Sequence, residues 1–189
     1  MMTIASRNLV LVGLLLLGSA VLQAQCGAER WPVKTLQDAS VHEIHFVPVE
    51  STVHALREPK QPPNLRTINP YLRLDAEKQV YTVKALLIGF KKEADSDYHL
   101  VLADPVDRRK TMIAEIPAAS CANKKYAAQF KAAAAFIESI GHATPKFKTL
   151  DKPVAVTVTG VFFFDFIHGQ DGVAPNGAEL HPVLEISRQ

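Results

Sequence analysis

A chain of 189 residues that is 48% hydrophobic has enough apolar material for one packed domain, with residues to spare for an extended arm. Its 21 Lys plus Arg stand against 19 Asp plus Glu. That balance excludes the basic excess from which tight, sequence-independent nucleic-acid binding draws its affinity through counterion release.

Residues 1–24 carry one early positive charge, Arg7, then an apolar core from Leu9 to Leu17, then the small residues Gly18, Ser19 and Ala20. This order predicts a cleaved secretory signal, processed after Ala24 or after Ala20, and hence a secreted or periplasmic protein. The apolar run is too short to span a bilayer, and no later segment is long enough. An acylated cysteine wants a small residue before it, whereas Cys26 follows Gln25. Export makes a disulfide the natural state of Cys26 and Cys121, and nothing local to Cys121 supplies the base that a catalytic thiol needs.

Residues 25–79 hold Pro32, Pro48, Pro59, Pro62, Pro63 and Pro70, a density that forbids long helices and central strands. The expectation is an irregular arm packed on the following domain, with a short strand near Ile44 to Val49 and a helical turn around Thr52 to Arg57. Trp31, beside Pro32, is suited to pin this arm down. His42 and His45 have H-x-x-H spacing, but their extended surroundings make that spacing coincidental.

From Val80 the punctuation changes. Strands are expected at Val80 to Phe90, with Gly89 as a bulge or bend, at Tyr98 to Ala103 and at Thr111 to Ile116. Ser120 can cap a helix that begins at Cys121 or Ala122 and runs to Ile140, with Phe130, Ala133, Ala134 and Ile137 on one stripe and Gly141 as its stop. Two more strands follow, Val154 to Phe164 and Glu179 to Ile186. Three strands, a helix and two strands is the order of a five-stranded OB-like Greek-key barrel, here residues 80–189. In the last strand, Leu180, Pro182, Leu184 and Ile186 share one face. Glu179, His181, Val183 and Glu185 share the other, which must look outward or into a cleft.

Two groups of residues carry chemistry. The loop 168–177 is rich in glycine and joins the last two strands, a connection that helps form the ligand rim of such barrels. Asp165 and His168 leave one strand as Glu179 and His181 enter the next, so an antiparallel hairpin can gather all four as ligands for zinc or another divalent ion. The second group is Asp95 and Asp97 in the first turn, His99 two residues on, and Glu115 at the end of the third strand. Convergence of Asp97 and Glu115 would suit calcium or magnesium. Phe162, Phe163 and Phe164 read as core more readily than as a stacking platform. The basic groups Lys91-Lys92 and Arg108-Arg109-Lys110 read as solvated turns.

The run D-x-D, an apolar strand, a basic residue five positions before an acid, and then x-Pro resembles the first half of staphylococcal-nuclease-like domains, which share the barrel. The resemblance covers about 25 residues of the chain's 189. It implies that Asp97 and Glu115 hold a cation and that Lys110 stands where an arginine contacts phosphate. Ala118 takes the place of the presumed glutamate base, and alanine cannot activate water. The wider pattern SDYHLVL, MIAEIP, a cysteine, FFDFIHGQDGVAPNG and ELHPVL resembles a group of uncharacterised exported bacterial proteins with an OB-fold-like domain, and brings no activity with it.

The missing catalytic set favours a monomeric, non-catalytic exported binding module for a small ligand, glycan, protein or nucleic acid, using the outer barrel face and the loop. The alternative is a divalent-metal-dependent phosphodiester hydrolase in which calcium or zinc sits on Asp97 and Glu115, and His99 or His168 serves as base.

Overall fold

The computed structural model describes residues 26–189, so the leader expected at residues 1–24 lies outside the described residues. The Pro-rich segment supplies a short helix α1 (Trp31–Lys34), a strand β1 (His45–Ser51) and a second short helix α2 (Val53–Leu56). Pro32 falls in the first turn of α1, where its missing N–H would have had no partner anyway. Thr52 caps α2 by accepting the Ala55 N–H at 3.0 Å. The rest of the chain forms β2 (Gln79–Lys92), β3 (Tyr98–Ala103), β4 (Thr111–Ile116), α3 (Ala127–Ile140), β5 (Lys148–Phe164) and β6 (Ala178–Arg188). No helix among the described residues is long and apolar enough to cross a membrane.

The sheet is mixed and its hydrogen bonding returns to where it starts. β2 is antiparallel to β3, β3 to β4, β6 to β5 and β5 to β2, while β4 and β6 run parallel. β2, which is 14 residues long and shifts register between Leu87 and Gly89, reaches both β3 and β5. A Cβ at Gly89 would lie 2.5 Å from the Phe147 ring and 2.8 Å from the Lys148 carbonyl, so the bend closes only around glycine.

Six strands take part, where five were expected, because the arm contributes β1. It runs parallel to β2 through Val49, Glu50 and Ser51. β1 is an edge strand, the one kind of place where Pro48 can sit without removing a ladder bond. The fourth strand of the ring also begins earlier than expected, at Lys148, because Lys148 and Thr149 pair with Phe90 and Gly89 beyond the bend.

Even-numbered residues of β3 and β4, with Leu180 and Ile186 of β6, point into one core. Phe130, Ala133 and Ile137 of α3 are buried with them. The helix starts at Ala127, six residues later than a Ser120 cap implies, and Tyr126 precedes it without a side-chain cap. The intervening backbone is recruited by the arm. Cys121 is bridged to Cys26, the Asn123 N–H donates to the Thr35 carbonyl at 3.1 Å, and Asn123 Nδ2 donates to the Leu36 carbonyl at 2.8 Å. These bonds win over helix propensity because they satisfy buried backbone groups.

Two buried arginines fasten the arm. Arg30 forks onto Glu77 at 2.6 and 2.7 Å and donates to the Leu72 carbonyl, while the same Glu77 accepts the Phe164 N–H of β5 at 3.1 Å. Arg73 donates to Asp38 at 2.7 and 3.2 Å and to the Val33 carbonyl. Breaking such a pair on one side leaves a buried charge, so Glu77→Ala should destabilise the protein by about 3–5 kcal/mol in urea unfolding. A loss below about 1 kcal/mol, the range of exposed pairs, would contradict this anchoring.

Candidate functional site: a buried imidazole and carboxylate cluster under the arm

Odd-numbered residues of β3 and β4, with Glu179 and His181 of β6, face away from the ring core. His99 and Glu115 lie directly opposite each other across the β3–β4 ladder. The parallel pairing of Ile113 with Glu179 and of Ala114 with Leu180 sets the next residue of β6, His181, beside Glu115. A sheet face that would otherwise meet water therefore carries a row of acids and imidazoles. The arm covers it. Phe163 of β5 lies on this outer face with the Arg30 guanidinium 4.7 Å and the Lys34 ammonium 5.4 Å from its ring centre, and it meets the His181 ring edge-on at 5.6 Å. The expectation that Glu179, His181 and Val183 look outward or into a cleft is corrected accordingly: Glu179 and His181 are buried on this face, Val183 joins the ring core because the β5–β6 register shifts on either side of Gly160, and of the expected face Glu185 alone is exposed.

Glu115 is the centre of the group. Its Oε1 is 2.9 Å from His99 Nδ1 and its Oε2 is 3.2 Å from His181 Nδ1. Glu179 Oε2 is 3.6 Å from the same His181 nitrogen, and Asp97 Oδ2 is 3.7 Å from His181 Nε2. Asp97 is held by its other oxygen, which accepts the Ala118 N–H at 2.8 Å. The loop after β5 completes the set. Gly172, at φ 77°, packs its backbone on Val101 where a Cβ would sit 2.3 Å from a methyl group, and the adjacent Asp171 carbonyl then accepts from His99 Nε2 at 2.9 Å.

Both ring nitrogens of His181 lack a hydrogen-bond partner among the described residues, as do Asp97 Oδ2 and Glu179 Oε2. His181 is fully buried. Native interiors satisfy nearly all such groups, and each orphan costs about 1–3 kcal/mol.

Charge is correspondingly unsettled. Burial, reinforced by Asp95, pushes the Asp97 carboxyl up to about 8. Burial, with Asp165 and Glu115 adding to it, raises Glu179 well above the usual carboxylate range. Burial pushes His181 well below the usual imidazole range, and the Lys34 charge adds to this. For His99, burial opposes protonation, but the Glu115 hydrogen bond and charge outweigh it and raise the imidazole. Lys34 is likewise penalised by burial and yet raised, because Asp165, Glu115 and Glu179 surround it.

Above the cluster lies a cavity of about 390 Å³, lined by Trp31 and residues Cys26 to Glu29, with Glu93, Asp95, Glu115 and Asp165 adding to the acidic Glu29. Glu115, 13% exposed, belongs to both the cavity and the buried cluster. Lys34 is the lysine of this wall, and Asp165 occupies it at 3.0 Å.

Of the residues singled out in the sequence, Asp97, His99, Glu115, Glu179 and His181 are brought together. The four-residue centre expected at the hairpin splits. Glu179 and His181 turn into the cluster, Asp165 pairs with Lys34, and His168 is exposed at the cavity rim. Lys110 stands at the other end of β4 from Glu115, where its ammonium meets His54 Nδ1 at 2.8 Å, so it cannot share a phosphate with a cation on Glu115. Phe162, Phe163 and Phe164 are all buried, which removes the stacking platform. Lys34 and Glu93 were not anticipated, since neither stands in a motif and both arrive through the path of a turn or the arm.

No protein-family model matches the chain, and no curated protein matches it either. Among solved structures it is similar to an aspartyl-tRNA synthetase-like protein from Leishmania major Friedlin, with 12% identity and a TM-score of 0.40 over 76% of this chain and 21% of that one. The chain thus spans about a fifth of that protein, and a likeness at this level carries nothing about ligand or activity.

The Asp97 carboxyl gives the site a pH signature. In cation-free protein it keeps its proton up to about 8 in the fold but loses it near 3.8 when unfolded. Its contribution is therefore complete below about 4 and is lost as pH rises towards 8. Asp97→Asn should remove that part of the pH dependence, read as the difference between the two proteins' urea stabilities from pH 4 to 8. Parallel curves would show that Asp97 ionises normally.

Proposed function

We propose that this protein is an exported, non-catalytic binding module built on an OB-like Greek-key barrel, and that it holds a divalent cation beneath its acidic cavity. The ring of pairings with a helix between its third and fourth strands supports the barrel, and the Cys26–Cys121 bridge is in keeping with an oxidising compartment. The observation that carries the cation is His181, fully buried, without a hydrogen-bond partner on either nitrogen, and ringed by Asp97, Glu115 and Glu179. Ligand atoms of Asp97, Glu115 and His181 all lie within 4.8 Å of one another.

An imidazole donor beside carboxylates suits zinc or manganese better than calcium, which takes oxygen ligands. His181 is also neutral, the form that binds a metal, so no proton need leave it first.

The electrostatics of the cavity weigh against phosphodiester hydrolysis. Glu29, Glu93, Asp95, Glu115 and Asp165 would repel a phosphate, Lys34 is committed to Asp165, and Lys110 is at the far end of β4. The same field favours a small cationic ligand or the exposed side of a bound metal, with the loop 168–177 and Trp31 at the cavity's edge. At about 390 Å³ the space is at the small end of ligand sites.

Chelator-treated protein should gain several degrees in melting temperature on adding excess zinc, the shift expected of a ligand at about 100 times its Kd. Calcium should give less, and His181→Ala should abolish the zinc shift. No shift with zinc, manganese or calcium would defeat the proposal.

A further inference from the structure

We infer that the cluster is a dinuclear centre in which Glu115 bridges two cations, an inner one on His181 and an outer one on His99. This rests on the cation reading above and extends it to a second ion and to the ion that a ligand in the cavity would meet.

The two oxygens of Glu115 face two different imidazoles, Oε1 to His99 Nδ1 at 2.9 Å and Oε2 to His181 Nδ1 at 3.2 Å. Donor atoms bound to one zinc-sized ion at 2.0–2.1 Å lie about 2.9–3.4 Å apart in octahedral or tetrahedral geometry. Both spacings thus suit an ion shared by oxygen and nitrogen. A carboxylate that gives one oxygen to each ion holds the pair on the order of 3.5–4 Å apart, the separation of known two-metal sites.

Each imidazole has its own further acids. His181 has Glu179 on its Nδ1 side, with Glu115, and Asp97 on its Nε2 side, while His99 has Glu93, whose Oε1 is 3.7 Å from Nδ1. Ligand atoms of Glu93, His99 and Glu115 lie within 4.8 Å of one another, so the two triads share only Glu115.

The tautomer of His99 is set from outside. Its Nε2 faces the Asp171 carbonyl, which can only accept, so Nε2 carries a hydrogen and the neutral ring presents its lone pair from Nδ1 towards Glu115. Two lone pairs at 2.9 Å need a positive centre between them. Backbone carbonyls hold metal-binding imidazoles in this way in many sites. Charge argues similarly. Asp97, Glu115, Glu179 and Glu93 bring four negative charges when ionised, which one divalent ion only half neutralises, and the adjacent Lys34 is spent on Asp165.

The two positions differ in access. The inner residues Asp97, Glu179 and His181 are at most 1% exposed, whereas Glu93 is 35% exposed and lines the cavity. The inner ion is therefore the slowly exchanging one, and the outer ion faces the cavity.

The competing arrangement has a proton in place of the outer ion, with imidazolium His99 paired to Glu115 over a single metal. Zinc content after gel filtration of zinc-loaded protein, with calorimetric titration of chelator-treated protein, separates the two. Two ions per chain are expected in the wild type, one in His99→Ala and one in Glu93→Ala, and at least a tenfold weaker first site in Glu115→Gln. Glu93 is partly exposed, so its variant tests the outer site without disturbing the core. One ion per wild-type chain, unchanged in His99→Ala and Glu93→Ala, would overturn the dinuclear centre and leave the proposed function standing. Two ions that persist in both variants would place the second elsewhere and also overturn it. No bound zinc, manganese or calcium at all would overturn both readings.

Discussion

The buried fork of Arg30 on Glu77 is the interaction on which the rest of the molecule depends. Glu77 sits at the entry to β2 and also accepts the Phe164 N–H at the end of β5, so one carboxylate ties the arm to the two strands that close the ring. A pair so deeply buried contributes little net energy compared with an apolar replacement, but it tolerates only one geometry. Its effect is positional. It sets Arg30 and, one turn on, Lys34 over Phe163, and so decides that the outer face of β3, β4 and β6 is covered.

Covering that face creates the chemistry. His99, Glu115, Glu179 and His181 would be unremarkable on a solvated sheet, where each acid would ionise near its usual value. Beneath the arm, water is removed before the charges are matched. Burial then pushes acids up and His181 down, and strands several hydrogen-bonding atoms. A protein that retains such a group of orphans in its interior departs from the usual satisfaction of buried polar atoms, and such departures concentrate where something is bound. The disulfide from Cys26 to Cys121 acts on the same boundary, since Cys26 and Gly27 form part of the cavity wall.

Much of this was legible in the residues. Val- and Ile-rich runs separated by Asp, Pro and Gly placed the ring strands, apart from the early start of β5 at Lys148, and export logic paired the cysteines. Asp97 and Glu115 were expected to converge because a turn and a strand end flank one region of the barrel, and they do. Three of the misplaced features share one cause. The late start of α3, the sixth strand and the divided hairpin centre each reflect bonds made by residues 26–78 to distant backbone or side chains, as when Asn123 turns to Thr35 and Leu36, or Asp165 to Lys34. Local propensity carries no trace of a partner some ninety residues away.

The sequence by itself determined which residues alternate. Period two puts His99 with Val101, Glu115 with Ile113 and His181 with Glu179 on one side of their strands, whatever lies on that side. Only the tertiary structure decided what that side faces. The physical reason is that alternation specifies a face but not its environment, and the environment here is supplied by an arm held through long-range ion pairs and a disulfide. Placed under that arm, a polar face becomes a buried site in which Glu115 lies between two imidazoles.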